Sequence, residues 1–570
     1  MSYLRRSVEH VRTHPYLYIF LLGILVRAIY LRQAWTSNPL IDYPQADANS
    51  YVTWARRILD GVILDDFVSY TPVYPLYLAP FFAILRSPDR IFLAFHLIGA
   101  LNAVVVGKLA ETVFSRKAGV VAALIAATYW PFILHEATFY AENFTVPVLT
   151  LAVLILLRGR GAPTLRFLLV GTLLALAALS RLNLLLPLAA YLAASVVLIW
   201  RSRRERSIAR STVLAGTPRQ LLAVAVPSIV LVGSLLWWNY QATGTVMLRD
   251  QVALTTYVGS EPEYEGLLPR AGLEWRTLLF EPFAAGYTDQ ASQQDYWRQK
   301  TLQTISNDPP AWLWLQVRKF LMNVNAFEVS QEIDIPYYRS HSSILQLPWP
   351  GPWLVIPLGI TGIVLFGLRD RRTMLLAGLG LLYFLAIMPS SVAARYRLPL
   401  VPILIVFGSV VLVDVFAQIK ARRWRELVKP AALVTLFALL CLPDYPSLRE
   451  RVVIHTEYQI GEKALVREGN QDMAISYFRL SLSRHEDDYN SMFWLAQGRL
   501  FGDGDIGETR ALLATILKAK PTSPDAWWLL GEMHLVERDS TSAAAAATRA
   551  LELAPNSEAA QDLAERLGVR

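Results

Sequence analysis

The chain has 570 residues, 54% of them hydrophobic, with a mean hydropathy of +0.34 and a formal net charge of +8. Apolar runs recur over residues 15–442, which excludes a simple soluble domain and a lone cleaved leader. The basic residues cluster in short loops between those runs, a topology signal and not a nucleic-acid surface, and the single cysteine, Cys441, excludes an intrachain disulfide.

In chain order, Arg5, Arg6 and Arg12 hold the N-terminus on the cytoplasmic side and 15–34 reads as the first span. The outer loop that follows carries Asp42 and then Asp47, Ser50, Tyr51 and Trp54, spaced to share one face of a short helix. A carboxylate beside aromatic rings at a membrane surface suits a general base for an acceptor hydroxyl. A helix N-cap is the alternative for Asp47; Asp42 is the local competitor, and Asp65 and Asp66 lie further along the same loop. Residues 72–85 are apolar but short and contain Pro72, Pro75 and Pro80, so they lie in or dip into the outer interface.

Spans two (90–114) and three (118–134) lead to an outer turn holding Glu136 and Glu142. Those acids can sit beside Asp47, bind sugar hydroxyls or coordinate a hydrated divalent cation; an ordinary solvated turn is the alternative. No His-rich or Cys-rich spacing indicates a metal, so the metal and cofactor stay open. Spans four (144–157), five (167–179) and six (184–200) follow, the last two turning at Arg181 and Asn183. Arg27, His96, Asn102 and Arg181 read as interhelical hydrogen bonders ahead of catalysts.

Arg201, Arg203, Arg204 and Arg206 form a strong cytoplasmic anchor before span seven (221–240). The polar and aromatic stretch 241–351 is then outside, and 309–322 reads as an interfacial helix through Trp312, Trp314, Arg318 and Lys319. Spans eight (352–368) and nine (374–389) bring the chain to Arg395-Tyr396-Arg397, just before Pro399 and span ten (398–419). Guanidinium groups present planar donors suited to phosphate oxygens, with snorkelling to headgroups as the alternative. Span eleven (430–442) completes a topology that puts Asp47, Glu136, Glu142, 241–351, Arg395, Arg397 and everything past 442 on the extracytoplasmic face.

From residue 445 the composition turns polar, and a period of 34 relates Trp494 to Trp528, Leu495 to Leu529 and Pro521 to Pro555. Paired amphipathic helices are expected at 461–467 and 471–484, at 491–501 and 506–519, and at 526–537 and 540–553. This pattern resembles the tetratricopeptide repeat, which binds peptides or partner proteins in a groove or serves as a structural cap. The expected organisation is all-α: about eleven transmembrane helices over 1–444, including the outer loop 241–351, and a repeat domain over 445–570.

The acid loop after the first span, the acidic turn after the third, the long outer loop and Arg395-Tyr396-Arg397-Leu398-Pro399 together resemble the GT-C membrane glycosyltransferases. In particular they resemble family 39, the protein O-mannosyltransferase and aminoarabinose transferase group, over 15–442. That resemblance implies sugar transfer from a polyprenyl-phosphate donor to a protein, lipid or glycan acceptor. It implies Asp47 as base, Glu136 or Glu142 as a supporting carboxylate, and Arg395 and Arg397, with Tyr396 between them, at the lipid phosphate. It also implies an integral protein of a bacterial inner membrane, with the repeats holding an acceptor or partner. A transporter or flippase and a non-enzymatic assembly scaffold are the competing classes.

Overall fold

The computed structural model of the protein describes residues 10, 13–62, 71–159, 163–204, 214–443 and 454–569. Asp65, Asp66 and the basic anchors Arg5, Arg6, Arg12 and Arg206 lie outside the described residues. Every regular element among the described residues is helical, and none is a strand. The chain divides into two compact units. The first takes Met1–Arg249, Trp314–Val329 and Tyr338–Arg451; the second takes Asp250–Leu313, Ser330–Tyr337 and Val452–Arg570.

The principal helices of the first unit are α1 (Pro15–Ser37), α2 (Ala46–Leu59), α3 (Val73–Leu85), α4 (Pro88–Val113), α5 (Arg116–Thr128), α6 (Trp130–His135) and α7 (Glu142–Arg158). They continue with α8 (Pro163–Ser180), α9 (Leu185–Arg204), α10 (Pro218–Thr243), α11 (Pro352–Phe366), α12 (Arg371–Ile387), α13 (Val401–Lys420) and α14 (Val428–Cys441). Apart from the third, each apolar run read from the sequence falls largely on one of these helices. Among the described residues, five helical stretches are long and apolar enough to cross a bilayer: α1, α4, Leu182–Arg201, α10 and Ala394–Lys420. Helix α3, at 13 residues, is too short to cross.

Local chemistry sets the helix ends. Proline opens α1, α4, α10 and α11, where its missing N–H costs nothing. Asp370 closes a capping box with Thr373 at the start of α12. Small residues allow close crossings: a Cβ on Gly107 of α4 would lie 2.6 Å from the Ala123 Cβ of α5. Without a hydrophobic drive between helices in lipid, such close backbone contact supplies the packing.

The third apolar run is not continuous. It breaks at Tyr129, between α5 and α6, because Pro131 has no N–H to donate to the Ala127 carbonyl four residues back. That carbonyl accepts instead from Arg27 Nη1 of α1, at 2.7 Å. The sole cysteine, Cys441, ends α14; its thiol is buried and its carbonyl accepts from Ala326 N at 2.8 Å.

The second unit holds three helix pairs: Thr456–Val466 with Gln471–Arg484, Tyr489–Gly502 with Ile506–Ala519, and Pro524–Val536 with Ser540–Leu553. Glu558–Arg566 follows them. Asn470, Asp488, Asp505, Ser523, Asp539 and Ser557 cap successive helices by accepting a backbone N–H. Residues 250–313, which the sequence groups with the apolar part, belong to this unit. Their amphipathic helices bury Leu254, Tyr257, Val258 and Trp297 together, and Leu273 enters the core formed by Ala496, Ala526, Leu529 and Met533.

Candidate active site

Asp47 lies in the first turn of α2, where the positive end of the helix favours a carboxylate. The N-cap is Gln45, so Asp47 is not the cap. Its Oδ2 instead accepts from Arg395 Nη2 at 2.7 Å, across 348 residues of sequence. The Asp47 side chain is 20% exposed and that of Arg395 only 3%, so the carboxylate is the reachable member of the pair.

Arg395 is held by aromatic faces. Its guanidinium lies 4.6 Å from the Tyr140 ring centroid and 5.3 Å from that of Tyr396. Arg181, in the turn after α8, packs 5.0 Å from the centroid of the same Tyr396 ring. Arg181 also forms an ion pair with Glu142 Oε1, at the start of α7. The other oxygen of Glu142, Oε2, is buried and finds no hydrogen-bond partner among the described residues. Burial pushes the Asp47 carboxyl up, but the nearby charges of Arg395, Arg249 and Arg181 outweigh it and hold the group at about 2. Two carboxylates and three guanidinium groups therefore share one region, an excess of positive charge suited to an anion.

Of the residues singled out from the sequence, Asp47, Glu142, Arg395 and Tyr396 come together. Arg181 joins them, although the sequence reading favoured a purely structural hydrogen bond for it. Arg249 and Tyr140 were not singled out: Arg249 sits in a stretch without periodicity, and Tyr140 is one of several aromatic residues near its turn.

Glu136 and Arg397 are engaged elsewhere. Glu136 accepts from Arg27 Nε at 2.7 Å and Nη2 at 2.9 Å, and pairs with His96 Nδ1 at 2.8 Å. Gly99 makes room for this carboxylate, since a methyl group there would overlap it. Arg397 donates to the carbonyls of Asn323 (3.1 Å), Asn325 (2.6 Å) and Phe327 (3.2 Å), and pairs with Glu328 at 3.0 Å. A guanidinium so occupied is a backbone clamp. Among the described residues, no group of three or more His, Cys, Asp or Glu is arranged to hold a metal ion. Glu136 and Glu142 each pair with their own arginine.

The first unit also carries an apolar groove of about 540 Å³, open to the surface and lined by Ile360, Val364, Leu381, Phe384, Leu404 and Phe437 among others, with Asn323 and Arg397 on its wall.

Residues 69–232 match the family model for dolichyl-phosphate-mannose-protein mannosyltransferase, in agreement with the resemblance carried by the motifs. Asp47 and Arg395 lie outside the matched segment. No curated protein matches. One similar solved structure is the Archaeoglobus fulgidus oligosaccharyltransferase tethered with an acceptor peptide containing the NVT sequon: TM-score 0.39, 14% identity, covering 82% of this chain and 59% of that one. Another is the Archaeoglobus fulgidus oligosaccharyltransferase AglB in complex with an inhibitory peptide and a dolichol-phosphate: TM-score 0.40, 14% identity, covering 98% and 69%. The chain thus spans 59% of the length of the first of these.

Proposed function

We propose that this protein is a membrane glycosyltransferase that moves a sugar from a polyprenyl-phosphate donor to an acceptor at the extracytoplasmic surface. The observation that carries this reading is the partly exposed Asp47 carboxylate set among Arg395, Arg249 and Arg181. The acceptor oxygen attacks the anomeric carbon as the bond from that carbon to the phosphate oxygen breaks. The acceptor proton passes to Asp47, and the electron pair leaves on the lipid phosphate, with inversion at the sugar. Arg395, stacked on Tyr140 and Tyr396, and Arg249 stabilise the charge on the leaving phosphate.

An aspartate held at about 2 is a carboxylate at every physiological pH but a weak base. Donor binding changes that. As Arg395 turns part of its hydrogen bonding to the phosphate, Asp47 loses its strongest opposing charge and gains basicity. Glu142 keeps Arg181 oriented against Tyr396 and offers its second oxygen to a sugar hydroxyl. The open apolar groove of about 540 Å³ suits part of the isoprenoid chain. The helix pairs of the second unit are the part of the chain suited to holding a protein acceptor or partner.

The test is sugar transfer in proteoliposomes with radiolabelled polyprenyl-phosphate sugars. Wild-type protein should transfer the label and Asp47→Asn should not, at equal expression. Equal transfer by both would refute the assignment.

A further inference from the structure

A segment of the same chain, leading into the helix Leu273–Ala284, lies against the helix pairs of the second unit. The helix Leu273–Ala284 packs against Tyr489–Gly502, Pro524–Val536 and Ser540–Leu553. The entry to this helix is gripped through its main chain. Asn490 accepts from Leu273 N at 2.7 Å through Oδ1 and donates to the Ala271 carbonyl at 2.8 Å through Nδ2. This two-point clamp fixes the register of the segment. Gly272, between the clamped groups, has φ +107°, and a Cβ there would sit 2.6 Å from Asn490 Oδ1, so only glycine fits. Leu273 is 4% exposed and buries its side chain in the core with Ala496, Ala526, Leu529 and Met533.

Both ends are pinned by charge. Arg270 donates to the Asp487 carbonyl at 3.1 Å and its carboxylate at 3.2 Å, and Arg276 pairs with Asp525 at 2.8 Å. Main-chain bonds that set register, one apolar anchor in a closed pocket and ion pairs at the rim are how helical receptors bind short peptides.

We propose that the face formed by Tyr489–Gly502 and Pro524–Val536 is a peptide-binding site whose ligand is the chain's own Arg270–Arg276 segment, read as Arg-x-Gly-Leu-x-x-Arg. A tethered ligand is present at an effective concentration of about a millimolar, so a free peptide of ordinary affinity does not displace it. An acceptor protein is therefore recruited through another face, or by an equivalent peptide that competes with this segment.

The test uses the full-length protein in detergent with a fluorescein-labelled peptide of residues 267–280 and measures anisotropy. Wild type should bind it weakly. Gly272→Val removes the internal ligand while leaving the receptor face intact, and should bind the peptide at least about tenfold more tightly. Gly272→Val with Asn490→Ala should lose that binding, and a scrambled peptide should not bind to any variant. Trypsin supplies a second measurement that needs only a surface change. Arg270→Glu should speed cleavage after Arg276, and adding Asp487→Arg should slow it again. Failure of Gly272→Val to gain binding, binding unchanged by Asn490→Ala, or cleavage after Arg276 unaffected by Arg270→Glu would each overturn the proposal.

Discussion

Asp47 and Glu136 are both acids paired with arginine, yet their surroundings give them opposite duties. Asp47 is partly exposed and faces three guanidinium groups, whereas Glu136 is closed in by Arg27, His96 and the space left by Gly99. Asp47→Asn is expected to lower kcat by at least about a hundredfold among molecules that remain folded, and also to lower the melting temperature, because a carboxylate held at about 2 stabilises the fold at neutral pH; transfer kinetics and thermal unfolding in detergent check both. Glu136→Gln leaves the Arg27 charge buried and half-partnered, and is expected to destabilise the fold by about 3 kcal/mol, seen in the same melts. Arg397→Ala frees three carbonyls and strands Glu328, a loss of about 3–5 kcal/mol, without a specific rise in donor KM among molecules that remain folded. Because Asp47 is held at about 2, kcat/KM should show no acid limb from it above about pH 4. The sequence could place all these residues at helix mouths, since charge beside an apolar run is visible in one dimension. It could not choose between Glu136 and Glu142, six positions apart, because the choice rests on Arg27 and Arg181 arriving from other helices.

At the level of elements, apolar runs were legible because a helix in lipid satisfies its own backbone and needs only length and hydrophobicity. The break at Tyr129 was signalled by Pro131, but its use by Arg27 depends on how α1 packs. In the tail, the period marked the helix pairs, while the start of the first pair at Thr456 fell before the expected 461. Glu462 on that helix gives an element-scale prediction. Burial pushes its carboxyl up to about 7, offset in part by the Tyr458 hydroxyl, which donates to it at 3.1 Å. An acid whose folded value is raised binds more protons in the fold than in the unfolded chain. Its contribution to stability is therefore lost as pH rises from about 4.5 to 7. Glu462→Gln should remove this slope and stabilise the tail at pH 8 by about 2 kcal/mol, allowing for its partial exposure. Hydrogen exchange over 456–484 at pH 5 and pH 8 checks it.

Across the whole chain, the sequence showed where apolar composition ends but not which polar segments fold together. The Asn490 clamp on Leu273 joins residues 217 apart, and no periodicity in 250–313 announces it. The proposed topology also carries a prediction of sidedness, and Cys441 makes it accessible. At 1% exposure, that thiol is shut away in the protein interior. The native polypeptide therefore behaves towards maleimides as a blank, with no engineering to remove background reactivity. A single thiol introduced as Asn556→Cys should be labelled by an impermeant reagent from the outer side of sealed vesicles, and one introduced as Ala421→Cys only from the inner side. Any pair of added sites can likewise carry spin or fluorescence reporters, leaving the orientation of each part open to direct distance measurement in its native bilayer.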